Sequence, residues 1–278
     1  MSFKIVVDSC CDLTAQMLKD PCFVQVPLTI RSNGSTFVDD GTFDQADLLW
    51  SMRQSEEAPS TSCPAPQSYL DAYRCGAEDV YVVTLSALLS GSHNSAEQAR
   101  ILLEEEDPQV NVHVFNSCSA ASGEVLIALK IRELAQSGMP FKHVVREMEQ
   151  FIYRMKTLFV LENLENLRKN GRLTKMQAIV TGALKIKLLC HATPEGEIAK
   201  LGQALSVKQA LGKMIEKIAS DPDHEGRTLV ISHCNCLDRA FQVKAQVEAK
   251  CKSGEILVVE ARGITTVYAN DGGIVVAY

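Results

Sequence analysis

Four short polar clusters interrupt the apolar runs of this chain. They are Asp8-Ser9-Cys10-Cys11-Asp12, Thr61-Ser62-Cys63-Pro64-Ala65-Pro66, Ser90-Gly91-Ser92 and Asn116-Ser117-Cys118-Ser119-Ala120-Ala121-Ser122-Gly123. The third is the most informative. Val80-Tyr81-Val82-Val83-Thr84 reads as a buried strand, Leu85 to Ser95 as a hydroxyl-rich turn, and Ala96 to Leu103 as helix. A helix N-terminus has unpaired N–H groups and about half a positive charge, so it favours an anion. Ser86, Ser90 and Ser92 each carry an O–H that can donate to the same anion. The turn has neither the lysine of a Walker loop nor the spaced glycines of a dinucleotide fingerprint. Capture of a carboxylate or a single phosphate is the chemistry it suits. The plainer alternative is serine used only as a helix cap.

Other reactive groups make a weaker case. A serine hydrolase wants a Gly-x-Ser-x-Gly elbow with a histidine and an acid, and Leu89-Ser90-Gly91 lacks that spacing. His93 lies near Ser90, and Cys63 sits at a helix start that can lower a thiol pKa. An enzyme acting on a small carboxylated or phosphorylated substrate through Ser90, His93 or Cys63 is therefore the alternative to a binding protein. His233 with Cys234-Asn235-Cys236 offers one corner of a metal site but no second ligand pair, so no metal or other cofactor is expected. Gly171-Arg172, in a turn between helical segments, either points a guanidinium at an anion or is a helix cap with a basic neighbour.

The surrounding elements predict an α/β fold of two domains. Strands at Lys4–Asp8, Val24–Ile30, Val80–Thr84 and Asn111–Phe115 alternate with helices that follow Asp12, Phe43, Pro66, Ser95 and Gly123, the pattern of a mostly parallel sheet with flanking helices. Parallel sheets bind ligands beyond the carboxyl ends of their strands, so the four clusters there point to one hydroxyl-ringed pocket; the alternative is that each is an independent cap or turn. After a helix over Phe141–Thr157, the chain reads as an α/β sandwich with a mixed or antiparallel sheet. Its expected strands are Leu158–Val160, Lys185–Ala192, Glu197–Leu201, Thr228–Ser232, Glu255–Glu260 and Gly273–Ala277. Its expected helices are Leu161–Lys169, about Thr174 to Leu184, Leu205–Ala219 and Leu237–Lys252. The boundary falls near residue 155, giving domains 1–155 and 156–278. A net charge of −6 argues against nucleic acid or an anionic membrane surface as partner. No run reaches the roughly 18 apolar residues of a membrane span. Ten scattered cysteines, with a strand at the very start in place of a signal-peptide core, point to reduced thiols and the cytoplasm.

The order and spacing of the motifs resemble the DegV family of bacterial fatty-acid-binding proteins, some of which are the acyl-carrying subunit of fatty acid kinase. Val6-Val7-Asp8-Ser9 opens the match. Thr61-Ser62-Cys63-Pro64-Ala65-Pro66 is similar to T-S-Q-P-S-P, and Leu89-Ser90-Gly91-Ser92-His93-Asn94-Ser95-Ala96 to L-S-G-T-Y-Q-S-A. Leu167-Arg168-Lys169-Asn170-Gly171-Arg172-Leu173 is similar to L-x-K-G-G-R-I. The resemblance implies a non-catalytic protein that holds a long-chain fatty acid such as palmitate in its first domain. Thr61 and Ser90 would hold the carboxylate, with Ser62, Gly91 and Ser92 nearby and Arg172 at the pocket mouth. It also implies a fatty acid kinase catalytic subunit as a partner, and a role in lipid transport or fatty acid metabolism. Two departures bear on the kinase step. Ala269 falls where many relatives have histidine in G-T-H-x-G-P-G, and D-S-T-A-D has become Asp8-Ser9-Cys10-Cys11-Asp12.

Overall fold

The computed structural model describes residues 2–173 and 186–278, so the helix expected over about Thr174 to Leu184 lies outside the described residues. Four parallel strands form the first sheet in the order β2-β1-β6-β7: β1 Phe3–Asp8, β2 Phe23–Val26, β6 Asp79–Thr84 and β7 Asn111–Asn116. These strands are almost wholly apolar because both faces are covered. Val6, Val80, Val82 and Val114 pack under α2 (Pro66–Tyr73) and α3 (Ser92–Glu106), through Tyr69, Tyr73 and Ala99. Ile5, Val7, Tyr81 and Val83 point the other way, toward α4 (Ser122–Gln136) and α5 (Phe141–Arg154).

A six-stranded mixed sheet follows, ordered β10-β9-β8-β13-β11-β12 and drawn from residues 157 to 277. Its strands are β8 Thr157–Val160, β9 Lys187–Ala192, β10 Ile198–Ala204, β11 Leu229–His233, β12 Ile256–Glu260 and β13 Ile274–Ala277. Only β11 and β12 run parallel; every other pair is antiparallel. Leu158, Val160, Ile231 and Val276 face α7 (Val207–Ala219) and α8 (Leu237–Lys250). Val230, Val259 and Ala277 share a core with Ile127, Ile131 and the first sheet. Helix α4 therefore lies between the two sheets, and residues 122 to 128 are all buried. Among the described residues no helix is long and apolar enough to cross a membrane.

Several elements differ from the sequence expectation. The strand expected over Val24–Ile30 is two strands in two sheets, because Pro27 has no N–H for the ladder. Its second half, β3 (Thr29–Ser32), joins β4 (Ser35–Val38) and β5 (Ser60–Ser62) in a small antiparallel sheet covered by α1 (Gln45–Gln54). Asn33 and Gly34 form the β3–β4 turn with positive φ of 49° and 73°, the geometry that twisted hairpins need. After Asp12 there is only a single 3-10 turn at Met17–Lys19. The helix expected from Leu161 is confined to α6, Glu165–Lys169. Helix α9 (Gly263–Ala269) was not expected at all; its β-branched residues favour strand. It forms because the buried Asp39 carboxylate accepts from Gly263 N and Ile264 N, each at 2.9 Å. Only glycine fits at 263, where a Cβ would lie 2.7 Å from both Asp39 Cγ and Ile30 Cδ1.

Buried carboxylates fasten the first-sheet loops. Asp8 Oδ2 accepts from Leu85 N at 3.0 Å and Ser92 Oγ at 2.7 Å, and its Oδ1 accepts from Cys10 N at 3.0 Å. Burial raises the Asp8 pKa, and those three donors oppose the rise. Burial, together with the Asp8 charge, pushes Glu124 on α4 well above the usual carboxylate range. Asp12 Oδ1 accepts from Arg262 N at 2.8 Å, and burial pushes its carboxyl up to about 7. The β9–β10 turn seats on the same loops: Ser86 Oγ donates to Gly196 O at 2.7 Å.

Two expectations follow from these contacts. Gly196 has φ +91°, and a Cβ there would lie 2.3 Å from Ser86 Oγ and 2.9 Å from Cys118 Cα. Gly196→Ala should therefore cost roughly 1–3 kcal/mol in urea unfolding, whereas an unchanged midpoint would mean the turn does not seat on Ser86. Asp12 keeps its proton in the folded state after the unfolded chain, with a pKa near 4, has lost it. Its contribution thus falls as pH rises from about 4 to 7. Asp12→Asn, which mimics the protonated acid, should gain on the native protein across that window by on the order of a few kcal/mol. Unfolding midpoints at pH 4.5 and 7.5 measure this; a variant that loses ground with pH would show Asp12 ionised in the fold.

Candidate functional site

The loops beyond β1, β6 and β7 face the inner side of the second sheet across an apolar cavity, with about 730 Å³ of empty space once its solvent-open mouth is included. Its wall includes Phe159 and Val275 from the second sheet, Leu161 just past β8, Leu85 and Ala121 from first-sheet loops, and Ile264 from α9. The β9–β10 turn closes one side through Gly196 and Ile198. Sites for small organic ligands are mostly apolar, with few polar groups placed to orient the occupant.

Those polar groups collect at a rim. Leu89 and Arg172 line both the cavity and a shallow surface groove, which also includes Ser90, Gly91 and His93. Tyr268, on α9, lies at the same rim: its OH is 2.7 Å from Thr61 Oγ1, and the Arg172 guanidinium lies 5.7 Å from its ring centroid. Arg172 is held by a bond from Nε to Leu89 O at 3.2 Å and another from Nη1 to Asn170 O. Asn170 Nδ2 donates to Pro59 O at 2.9 Å, which ties the Arg172 turn to the approach of β5. Gly91 packs against the far end of β5, since a Cβ there would sit 3.1 Å from Cys63 Sγ. Segments 59–63, 86–93 and 170–172 thus meet although the sequence separates them widely.

The expected site residues occupy distinct places on this rim. Thr61 is half-buried, and Ser62 and Cys63 beside it are exposed. Ser90 is half-buried; its Oγ accepts from Ser92 N at 3.2 Å, and its own N–H donates to Ser86 O at 3.1 Å. Ser92 turns its side chain inward, where Oγ donates to Asp8 and lies 2.6 Å from Tyr69 OH. It shapes the loop from below, so only its backbone faces Ser90. His93 places Nδ1 3.2 Å from Thr84 Oγ1, and burial lowers its pKa. No base is hydrogen-bonded to Ser90 among the described residues. Ala269 is buried and lines the cavity next to Tyr268. In the Cys234–Cys236 turn, Cys236 N lies 3.4 Å from His233 Nδ1, and Cys236 Sγ lies 3.5 Å from Gly273 O.

Tyr268 is the site residue that sequence reasoning missed. Burial raises its pKa, so the phenol remains protonated and able to donate. Its signal was the need of a tyrosine in an apolar run to find a partner for its O–H.

Comparison with known proteins agrees with this architecture. The profile of the DegV family of uncharacterised proteins matches residues 2–278. A DegV domain-containing protein of Streptococcus pyogenes serotype M1 is 35% identical over 280 residues, spanning 100% of this chain and 99% of its own length. A DegV family crystal structure from Ruminococcus gnavus, refined with vaccenic acid, is 44% identical with a TM-score of 0.96 and full coverage of both chains. The Streptococcus pneumoniae Fatty Acid Kinase (Fak) B3 protein loaded with linoleic acid is 32% identical with a TM-score of 0.92, covering 100% of this chain and 99% of that one. With a family profile matched almost end to end and full-length relatives above 30% identity, the chain belongs to the DegV family.

Proposed function

We infer that this protein binds one long-chain fatty acid, with its tail in the apolar cavity and its carboxylate at the Thr61–Ser90 rim. The observation that carries this reading is a mostly apolar cavity with an edge at which the Tyr268 phenol, the Thr61 hydroxyl it bonds and the Arg172 guanidinium meet, beside the groove that Ser90 lines. Each charge-assisted hydrogen bond to the carboxylate contributes about 1.5–3 kcal/mol. Each buried methylene contributes about 0.8 kcal/mol, so a dozen give on the order of 10 kcal/mol before the loss of ligand freedom is subtracted. Tail burial supplies the affinity; the rim sets which end stays outside. The relatives refined with vaccenic acid and loaded with linoleic acid support the same ligand class.

The protein is in this reading a carrier without a catalytic residue or cofactor. Its head-group edge opens onto the groove with Arg172, where the ligand carboxylate is accessible to a fatty acid kinase catalytic subunit. The name of the pneumococcal relative supports that partner. The ten unpaired cysteines suit a reducing compartment, so we place the protein in the cytoplasm. The alternative of an enzyme using Ser90, His93 or Cys63 lacks a supporting contact, since His93 pairs with Thr84.

Native mass spectrometry of the purified protein should show one acyl adduct. Thr61→Ala with Ser90→Ala removes two hydroxyl donors and should weaken fatty acid binding by at least about tenfold. Undiminished occupancy in that double variant would refute the placement of the carboxylate. A native protein that binds no fatty acid at all would refute the function.

A further inference from the structure

Most of the cavity wall is apolar, yet besides Tyr268 three hydroxyl side chains stand in it: Thr265, whose Oγ1 lies 3.4 Å from Cys10 O, and a mutually bonded pair, Ser119 and Thr157. Ser119, from the β7–α4 loop, and Thr157, the first residue of β8, both line the cavity and are at most 5% exposed. Their oxygens are 2.7 Å apart. The pair carries two hydroxyl protons, and the mutual bond uses one. For the other, the acceptor on offer among the described residues is Ala120 O, 3.4 Å from Ser119 Oγ. That distance is outside the 2.5–3.0 Å range of an effective O–H···O bond. One donor is left without a close acceptor in a pair that lines the cavity.

The fold makes room for this pair. Gly123, in the first turn of α4, leaves empty the place where Ser119 Oγ sits: a Cβ would be 2.1 Å from that oxygen and 3.1 Å from Thr157 Oγ1. A helix gives up stability to keep glycine there. Ser119 O accepts from Ser86 N at 2.7 Å, below the loop that carries Ser90, but neither Ser119 nor Thr157 lines the rim groove. Along β8, residues 157 and 159 alternate onto the cavity, and Leu161 lines it just past the strand's end, at the opposite end from Thr157. Leu161 shares a cluster with Leu167, whose carbonyl accepts from Arg172 N at 2.8 Å.

Taking the cavity as the acyl site, we propose that Ser119 and Thr157 form a subsite for an oxygen on the acyl chain, and that the preferred ligand is a long-chain fatty acid bearing a hydroxyl on its tail. Such a hydroxyl accepts the spare proton and donates back to a lone pair of the pair. A plain tail leaves that proton unpaired. Sites built to hydrogen-bond a ligand hydroxyl discriminate strongly against the analogue without one, because the site's own polar group is then stranded.

The test is competition between stearate and the hydroxystearates substituted at carbons 9 to 12, on delipidated full-length protein, read by native mass spectrometry. At least one hydroxystearate should displace stearate with about tenfold preference. Thr157→Val and Ser119→Ala should each reverse that ratio in favour of stearate, while Thr157→Ser, which keeps the pair, should preserve it. Because the readout is a ratio within one protein sample, a general loss of stability does not imitate it. If the native protein prefers stearate over every isomer, or if Thr157→Val leaves the ratio unchanged, the subsite is wrong although the fatty-acid reading stands. If neither class binds, the fatty-acid reading fails and takes the subsite with it.

Discussion

Carboxylates buried against distant backbone N–H groups hold the ligand end of this molecule together. Asp8 reaches Leu85 and the Ser92 hydroxyl, Asp12 reaches Arg262, and Asp39 reaches Gly263 and Ile264. An ionised carboxylate is costly to bury without such donors, and Glu124, whose buried oxygens have none, is instead pushed toward its neutral form. Asp8, Asp12 and Asp39 each bring a remote segment to them. The rim follows from those contacts. Asp8 sets the start of the Ser90 loop, and Asp39 raises α9 from residues that prefer strand, which delivers Tyr268 to Thr61.

Much of the framework was legible because parallel strands buried on two faces leave continuous apolar runs. Val80–Thr84 and Asn111–Phe115 were readable for that reason, and the helices between them follow the amphipathic rule. What stayed hidden depends on partners far along the chain. β5 is Ser60-Thr61-Ser62, three hydroxyl residues with no hydropathy signal, and it is a strand only because β3 supplies the ladder. Pro27 ends β2, but a proline inside an apolar run shows only that pairing is interrupted, not that the chain changes sheets. Asn33-Gly34, by contrast, is a purely local turn signal for the β3–β4 hairpin.

The site divides in the same way. Thr61, Ser90 and Arg172 were named from motif order, and the structure brings their segments to one rim. Ser92 belongs to the same motif but turns its hydroxyl inward, because α3 begins at that residue and Asp8 lies directly beneath. Which hydroxyl of a serine-rich turn faces a ligand is decided by the helix phase, and a one-residue change in the helix start reverses the answer. The cavity itself has no sequence signature, since its wall residues come from both sheets and from α9.

Helix α4 touches both sheets, and the stretch from Ser122 to Ala128 has no solvent side. Any replacement in that stretch has to satisfy two independent packing environments simultaneously, one on each flank. Variation in ligand preference among such proteins therefore has its freest outlet in strands and loops that meet the cavity on one side only, with the central helix as the part of the blueprint least open to revision.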